Sequence, residues 1–132
     1  MNGTIGVREG FVGLLLSVRP GRGCTVLEVR GELDMATSPQ LHEALQRLVD
    51  AGTRQVVVDL AGVGFMDSSG LGALVVMFKA LREAGGRLVL AAVRPPVRSV
   101  LAVTSVDRAI RVYDDVAEAE ATLPSTDDPT GR

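Results

Sequence analysis

Apolar and polar positions along this chain follow two periods, and the switches between them mark out its elements. Leu14 to Arg19 and Cys24 to Arg30 read as strands joined by Pro20-Gly21-Arg22-Gly23, a spacing that suits an antiparallel hairpin. Thr37-Ser38-Pro39 predicts a helix start, a hydroxyl cap followed by proline in the first turn. Leu41, Ala44, Leu45, Leu48 and Val49 then form one apolar stripe, which Gly52 ends. Val56 to Leu60 is a β-branched run bounded by turn residues and predicts a strand covered on both faces. Gly62 and Gly64 predict a turn after it, with Phe65 and Met66 anchoring that turn in the core. From Leu71 the spacing is helical again, through Leu74, Val75, Phe78 and Leu81, until Gly85-Gly86 stops it.

The remaining elements follow in the same alternation. Leu88 to Val93 is a strand, and Pro95-Pro96 opens a third helix with a stripe at Val97, Val100, Leu101 and Thr104. Ile110 to Tyr113 is a short last strand. Asp114 starts a fourth helix whose thin apolar face is Val116, Ala119 and Leu123, with Asp114 and Asp115 suited to its dipole. A hairpin followed by alternating helices and strands predicts an α/β fold: a mixed, mostly parallel sheet with an N-terminal antiparallel hairpin and about four helices. The length, 132 residues, suits one domain. The expected boundaries are a flexible extension over 1–13, the domain over 14–123, and a disordered polar tail over 124–132.

Composition narrows the function classes. The chain has 14 basic and 16 acidic residues, a net charge of −2, and no basic cluster in the sequence, which argues against nucleic acid or an anionic membrane as a partner. No segment reaches the length of a membrane span, and the apolar run Phe11 to Val18 lacks a signal peptide's cleavage chemistry, so a cytoplasmic location is expected. Cys24 is the only cysteine, so no internal disulfide can form, and its apolar neighbours suggest a packed, inert thiol. His42 is the only histidine, on the first helix and expected to be exposed. One His and one Cys make a soft-metal site improbable and deprive a serine triad of its usual base. No cofactor, metal or catalytic residue is expected.

One stretch carries the candidate chemistry. Asp67, Ser68, Ser69 and Gly70 stand where the second helix begins, and its free N–H groups and dipole favour a capping oxygen or a phosphate. A plain helix cap accounts for these residues on pattern alone. A serine nucleophile is disfavoured, because Gly-x-Ser-x-Gly is absent, and neither nucleotide-binding glycine fingerprint is present. The helix itself is unusual: opposite its predicted core stripe it carries Ala73, Val76, Met77 and Ala80, where a solvent-facing side is normally polar. Either the last helix covers that side or it presents an apolar patch to a partner.

Phe65-Met66-Asp67-Ser68-Ser69-Gly70-Leu71-Gly72 resembles the signature of bacterial anti-sigma factor antagonists, the stand-alone STAS domains. Gly31-Glu32-Leu33-Asp34 resembles their earlier motif at the end of the second strand. Pro96-Val97-Arg98, with Val100, Leu101 and Thr104, resembles their third helix. The resemblance covers most of residues 14–123 and implies a STAS-like fold and a binding switch, not an enzyme. It implies that the unphosphorylated protein binds an anti-sigma factor that is also an ATP-using serine kinase, and so releases a sigma factor. The kinase would then phosphorylate Ser68, with Ser69 as the alternative, and a PP2C-like phosphatase would reset the switch. Stress response and sporulation are the settings this implies. The partner surface implied comprises Asp34, Asp67, Ser69, Gly70, Ala73, Val76 and Met77. The alternative role is a STAS module serving as a scaffold of a stress-signalling complex or as a cytosolic accessory of a transporter. One departure from the family pattern is Ser105, where glycine is common; if that position needs a positive φ, serine there costs up to about 1 kcal/mol.

Overall fold

The computed structural model describes the backbone of residues 4–5 and the whole of residues 13–123. Six strands form one sheet in sequential order: β1 (Thr4–Ile5), β2 (Leu15–Pro20), β3 (Thr25–Leu33), β4 (Gln55–Met66), β5 (Arg87–Ala91) and β6 (Val112–Tyr113). β1, β2 and β3 pair antiparallel, and β3 through β6 pair parallel. The expected hairpin is therefore present. β1 is an additional short strand that the sequence pattern did not mark. Otherwise the expected extension and the polar tail lie outside the described residues.

The helices are α1 (Ser38–Asp50), α2 (Ser68–Glu83), α3 (Pro95–Val103) and α4 (Val116–Thr122), with one turn of 3-10 helix at Val106–Arg108. Parallel crossovers are right-handed. Since β3, β4, β5 and β6 advance in one direction across the sheet, α1, α2 and α3 must lie on the same face. The packing agrees: Leu41 and Leu45, Leu74 and Leu81, and Val97 and Leu101 share one buried cluster with Leu27, Val58 and Leu90 of the sheet. α4 follows the last strand and crosses to the other face, where Ala119 and Leu123 cover Val26, Val57 and Val89.

Both long helices stop as their glycines require. In α1, Gly52 donates to the Val49 carbonyl (3.0 Å) and Thr53 to the Leu48 carbonyl (2.9 Å), a Schellman end with Gly52 at φ +94°. Gly85 and Gly86 close α2 in the same way, on the carbonyls of Arg82 and Leu81.

The largest difference from the sequence expectation is after Leu60. Gly62 and Gly64 do not form a turn; β4 runs on through them to Met66. Opposite β3, the pairing jumps from Glu28↔Asp59 to Arg30↔Gly62, and from Gly31↔Val63 to Leu33↔Met66. At each jump two residues of β4 face one of β3, so β4 carries two β-bulges. Each bulge stretches the inward spacing from two residues to three, which is why Leu60, Val63 and Met66 are buried while Gly64 and Phe65 are not. Phe65 is 46% exposed and does not anchor the core.

Smaller differences have local causes. Thr37 occupies the N-cap position of α1, but its hydroxyl donates to the Glu32 carbonyl (2.7 Å) and accepts from the Asp34 N–H (3.0 Å), so it ties the preceding loop and does not cap the helix. α4 is capped by Asp115 and not Asp114: the Asp115 carboxylate accepts from the Glu118 N–H, while Glu118 accepts from the Asp114 N–H. His42 is half-buried, and Thr104 is exposed, its hydroxyl bonded to the Val100 carbonyl. Ser105 has φ +64°, the left-handed conformation that the family pattern meets with glycine.

Candidate functional site

The ends of β3 and β4 bring the two acidic motifs side by side. The Asp67 N–H donates to the Leu33 carbonyl at 3.0 Å, which joins the loop after β4 to the residue before Asp34. Asp34 holds its own loop closed: its carboxylate accepts from the N–H groups of Ala36 and Thr37, each at 3.0 Å. Asp67 does the same for α2. It is the N-cap residue, and its Oδ1 accepts from the N–H groups of Ser69 (2.8 Å) and Gly70 (3.2 Å). Two of the helix's free N–H groups are thus satisfied by Asp67.

This division of labour leaves the serines free. Ser68 is the first residue of α2, is exposed, and its hydroxyl has no hydrogen-bond partner among the described residues. Ser69 is half-buried. Gly70 lies against the end of β3. A Cβ there would stand 2.7 Å from Leu33 Cβ and 3.0 Å from the Leu33 carbonyl oxygen, so the start of α2 can approach β3 only with glycine at this position.

The helix presents one open row from this point. Ser68, Gly72, Val76 and Lys79 are exposed and recur at helical spacing. Val76 is 52% exposed. The predicted core stripe is rotated in consequence. Leu71, Leu74 and Leu81 are buried as expected, but Val75 and Phe78 are half-buried at its margin. Ala73 (8% exposed) and Met77 (0%) are inside, in the same cluster as Leu41, Ala44 and Leu45 of α1. Gly70, Ala73 and Met77 are therefore not surface residues, contrary to the sequence expectation. The reason is that α1, packed beside α2, covers a second side of it. The last helix does not take part, since α4 lies across the sheet. Of the expected surface, Asp34, Asp67, Ser69 and Val76 remain accessible in full or in part.

A family model described as STAS domain matches residues 16–119. The chain belongs to the STAS domain family. Its STAS domain is 32% identical over 110 residues to the anti-sigma F factor antagonist of Paenibacillus polymyxa, an alignment covering 80% of this chain and 92% of that protein. Among solved structures, an anti-sigma factor antagonist from Mycobacterium paratuberculosis matches with a TM-score of 0.77 at 28% identity, over 84% of this chain and 94% of that one. The unphosphorylated form of the anti-sigma factor antagonist SpoIIAA shares the fold, with a TM-score of 0.67 at 23% identity over 79% of this chain and 91% of that one. SpoIIAA has also been solved in a phosphorylated form.

Three exposed residues on or beside this part of the STAS domain were not among those the sequence reading placed on the surface. Met35 (75% exposed) follows Asp34 directly, Phe65 precedes the Met66-Asp67 pair, and Gly72 lies one turn beyond Ser68. A signal for Phe65 was present: Leu60, Val63 and Met66 recur every third residue, a spacing that a bulged strand produces and that puts Phe65 out of phase with the core. The other titratable group of note is distant from the site. Burial pushes the Cys24 thiol above its ordinary pKa, helped by the Glu120 carboxylate and opposed by the Arg19 guanidinium. That fits a packed thiol.

Proposed function

We propose that this STAS domain is an anti-sigma factor antagonist that works as a phosphorylation-controlled binding switch, with Ser68 as the acceptor. The carrying observation is the exposed, unbonded Ser68 hydroxyl at the head of an open helix row, beside an aspartate that already caps the helix. In this reading the unphosphorylated protein docks on an anti-sigma factor serine kinase through Ser68, Gly72 and Val76, with Asp34, Met35 and Ser69 at the border. Docking frees a sigma factor, and phosphate transfer from ATP to Ser68 ends it. A PP2C-like phosphatase restores the hydroxyl. The domain acts in the cytoplasm as a binding partner and substrate of these enzymes.

The physical chemistry supports a switch confined to the surface. A phosphate on Ser68 adds about −1.5 to −2 charge at pH 7. The α2 dipole favours that charge at the helix N-terminus, and repulsion from the Asp67 carboxylate opposes it. The fold therefore tolerates the modification, while a surface fitted to a bare hydroxyl rejects a dianion. The existence of SpoIIAA, a protein of the same fold, in both phosphorylated and unphosphorylated forms supports this reading.

The test is incubation with candidate anti-sigma kinases and labelled ATP, followed by mass mapping. Ser68→Ala should lose the label yet keep its thermal midpoint, because Asp67 and not Ser68 caps the helix. Ser68→Glu should fail to bind the kinase. Full labelling of Ser68→Ala at Ser69 would move the acceptor; labelling of the Ser68→Ala/Ser69→Ala double variant would refute the assignment.

A further inference from the structure

A pocket lies at the other end of α2. Arg82 near the end of α2, Arg87 at the start of β5 and Arg111 before β6 line one pocket, with Phe78, Leu88 and Ala109 among its apolar walls. The chain has 16 acidic residues, yet none lines this pocket, and none of the three guanidinium groups has a carboxylate within ion-pairing distance among the described residues. Arg19 is engaged with Glu28, Arg47 with Glu43, and Arg54 with the carbonyls of Val49 and Thr53; Arg22, Arg30, Arg94, Arg98 and Arg108 have no ion pair among the described residues either, so the shared concavity, and not the lack of a partner, sets Arg82, Arg87 and Arg111 apart. Three like charges on residues lining one concavity repel one another.

The surroundings hold these cations in place. Arg82 stacks over the Phe78 ring, 5.2 Å from its centroid. Gly86 is pressed against the Arg54 carbonyl, where no Cβ fits, and the Arg87 N–H donates to the same carbonyl at 2.7 Å. The Arg111 carbonyl accepts from the Leu90 N–H at 2.9 Å. All three backbones are thus fixed by helix end or sheet, and the three residues line one shared open space of about 300 Å³, at the lower end of the range for small-ligand pockets.

We infer that this pocket binds a small organic phosphate, its phosphate held by Arg82, Arg87 and Arg111 and its carbon part laid against Phe78, Leu88 and Ala109. Planar guanidinium forks match phosphate oxygens in geometry as well as charge. The site is separate from Ser68: fourteen residues of α2 put Arg82 about 21 Å further along the helix axis. It stands whether or not the switch proposed above is correct.

Amide NMR titrations of the purified protein with phenyl phosphate and with inorganic phosphate, at constant ionic strength, test this. Saturable shifts should centre on Gly86, Arg87, Ala109 and Arg111, with a Kd for phenyl phosphate of about 1 mM or tighter. Phenyl phosphate should bind more tightly than inorganic phosphate, because only it uses the apolar wall. Arg111→Gln should weaken binding by about tenfold. Its unliganded thermal midpoint should stay level or rise, because a repelling charge is removed. Arg98→Gln, a cation on α3 outside the pocket, should bind as the parent does. Linear, unsaturated shifts, equal losses in Arg98→Gln and Arg111→Gln, or unchanged affinity in Arg111→Gln would each overturn the inference.

Discussion

Gly70 and Gly72 both lie in the first turns of α2, and replacing each with alanine should move stability in opposite directions. Alanine in a helix interior is favoured over glycine by about 1 kcal/mol. At Gly72 nothing lies within 4 Å of the new methyl, so the full gain should appear. At Gly70 the same methyl meets Leu33 Cβ at 2.7 Å, the Leu33 carbonyl oxygen at 3.0 Å and Met66 Cγ at 3.2 Å. The first two belong to or adjoin the backbone of a central strand and cannot swing aside. Overpacking of this kind costs about 1–3 kcal/mol. With rigid neighbours the upper end applies, and the net loss should be about 2 kcal/mol. The two variants should then differ by about 3 kcal/mol, or roughly 10 °C in thermal midpoint at this chain length. Denaturant and thermal unfolding followed by circular dichroism would measure it. If Gly70→Ala were as stable as Gly72→Ala, the close approach of α2 to β3 would be wrong, and with it the placing of Asp34 beside Asp67. Gly72→Ala carries a second readout: if the proposed kinase docks on the open row, a methyl there should weaken its binding even as it stabilises the fold.

Other expectations follow from burial and backbone geometry. Val76→Glu should change stability by no more than about 0.5 kcal/mol but reduce affinity for the anti-sigma partner, whereas Met77→Glu should destabilise the domain by more than about 3 kcal/mol; unfolding curves and a binding assay on both variants separate the two faces. Ser105→Gly should raise stability by about 0.5–1 kcal/mol, because it relieves a left-handed serine at φ +64°, and an unchanged midpoint would argue against that conformation. The raised pKa of Cys24 disfavours its thiolate in the fold, so the associated stability is full below the ordinary value of 9.0 and is lost as pH rises through the folded pKa. Iodoacetamide labelling should accordingly be slower than for a free thiol at pH 8 and accelerate only above 9; labelling at the free-thiol rate would contradict the burial.

The sequence pattern carried the element order well, since each helix has a clean start or stop: Pro39 and Gly52, Asp67 and Gly85, Pro95, and Asp114, one residue ahead of the true cap. It carried the Asp67-Ser68 site too, because a strand leading into a capped helix is a local signal. It failed where the decisive contact is remote. Glycines in β4 look like a turn unless the pairing with β3 is known, and that pairing creates the bulges. The apolar side of α2 could not be sorted into core and surface from its own spacing, because Ala73 and Met77 are covered by α1, which lies before β4 in the chain. The arginine pocket was invisible for the same reason: Arg82, Arg87 and Arg111 form no cluster along the chain and meet only when β5 and β6 pair.

The two bulges of β4 also govern how the length of this strand can change. From Thr25↔Val56 to Leu33↔Met66, β3 advances eight residues and β4 ten, and both strands end level. The surplus pair is slack taken up sideways. Deleting Ala61 or Phe65 would remove one bulge and let β4 pair with β3 residue for residue there, its end still level with Leu33. The Asp67 N–H would keep the Leu33 carbonyl, and the inward row would return locally to its two-residue period. The same deletion within residues 56–59, where every residue is already paired one to one, has no slack to draw on and would throw the inward row out of phase. β4 should therefore tolerate the loss of a residue near Met66 far better than near Val56.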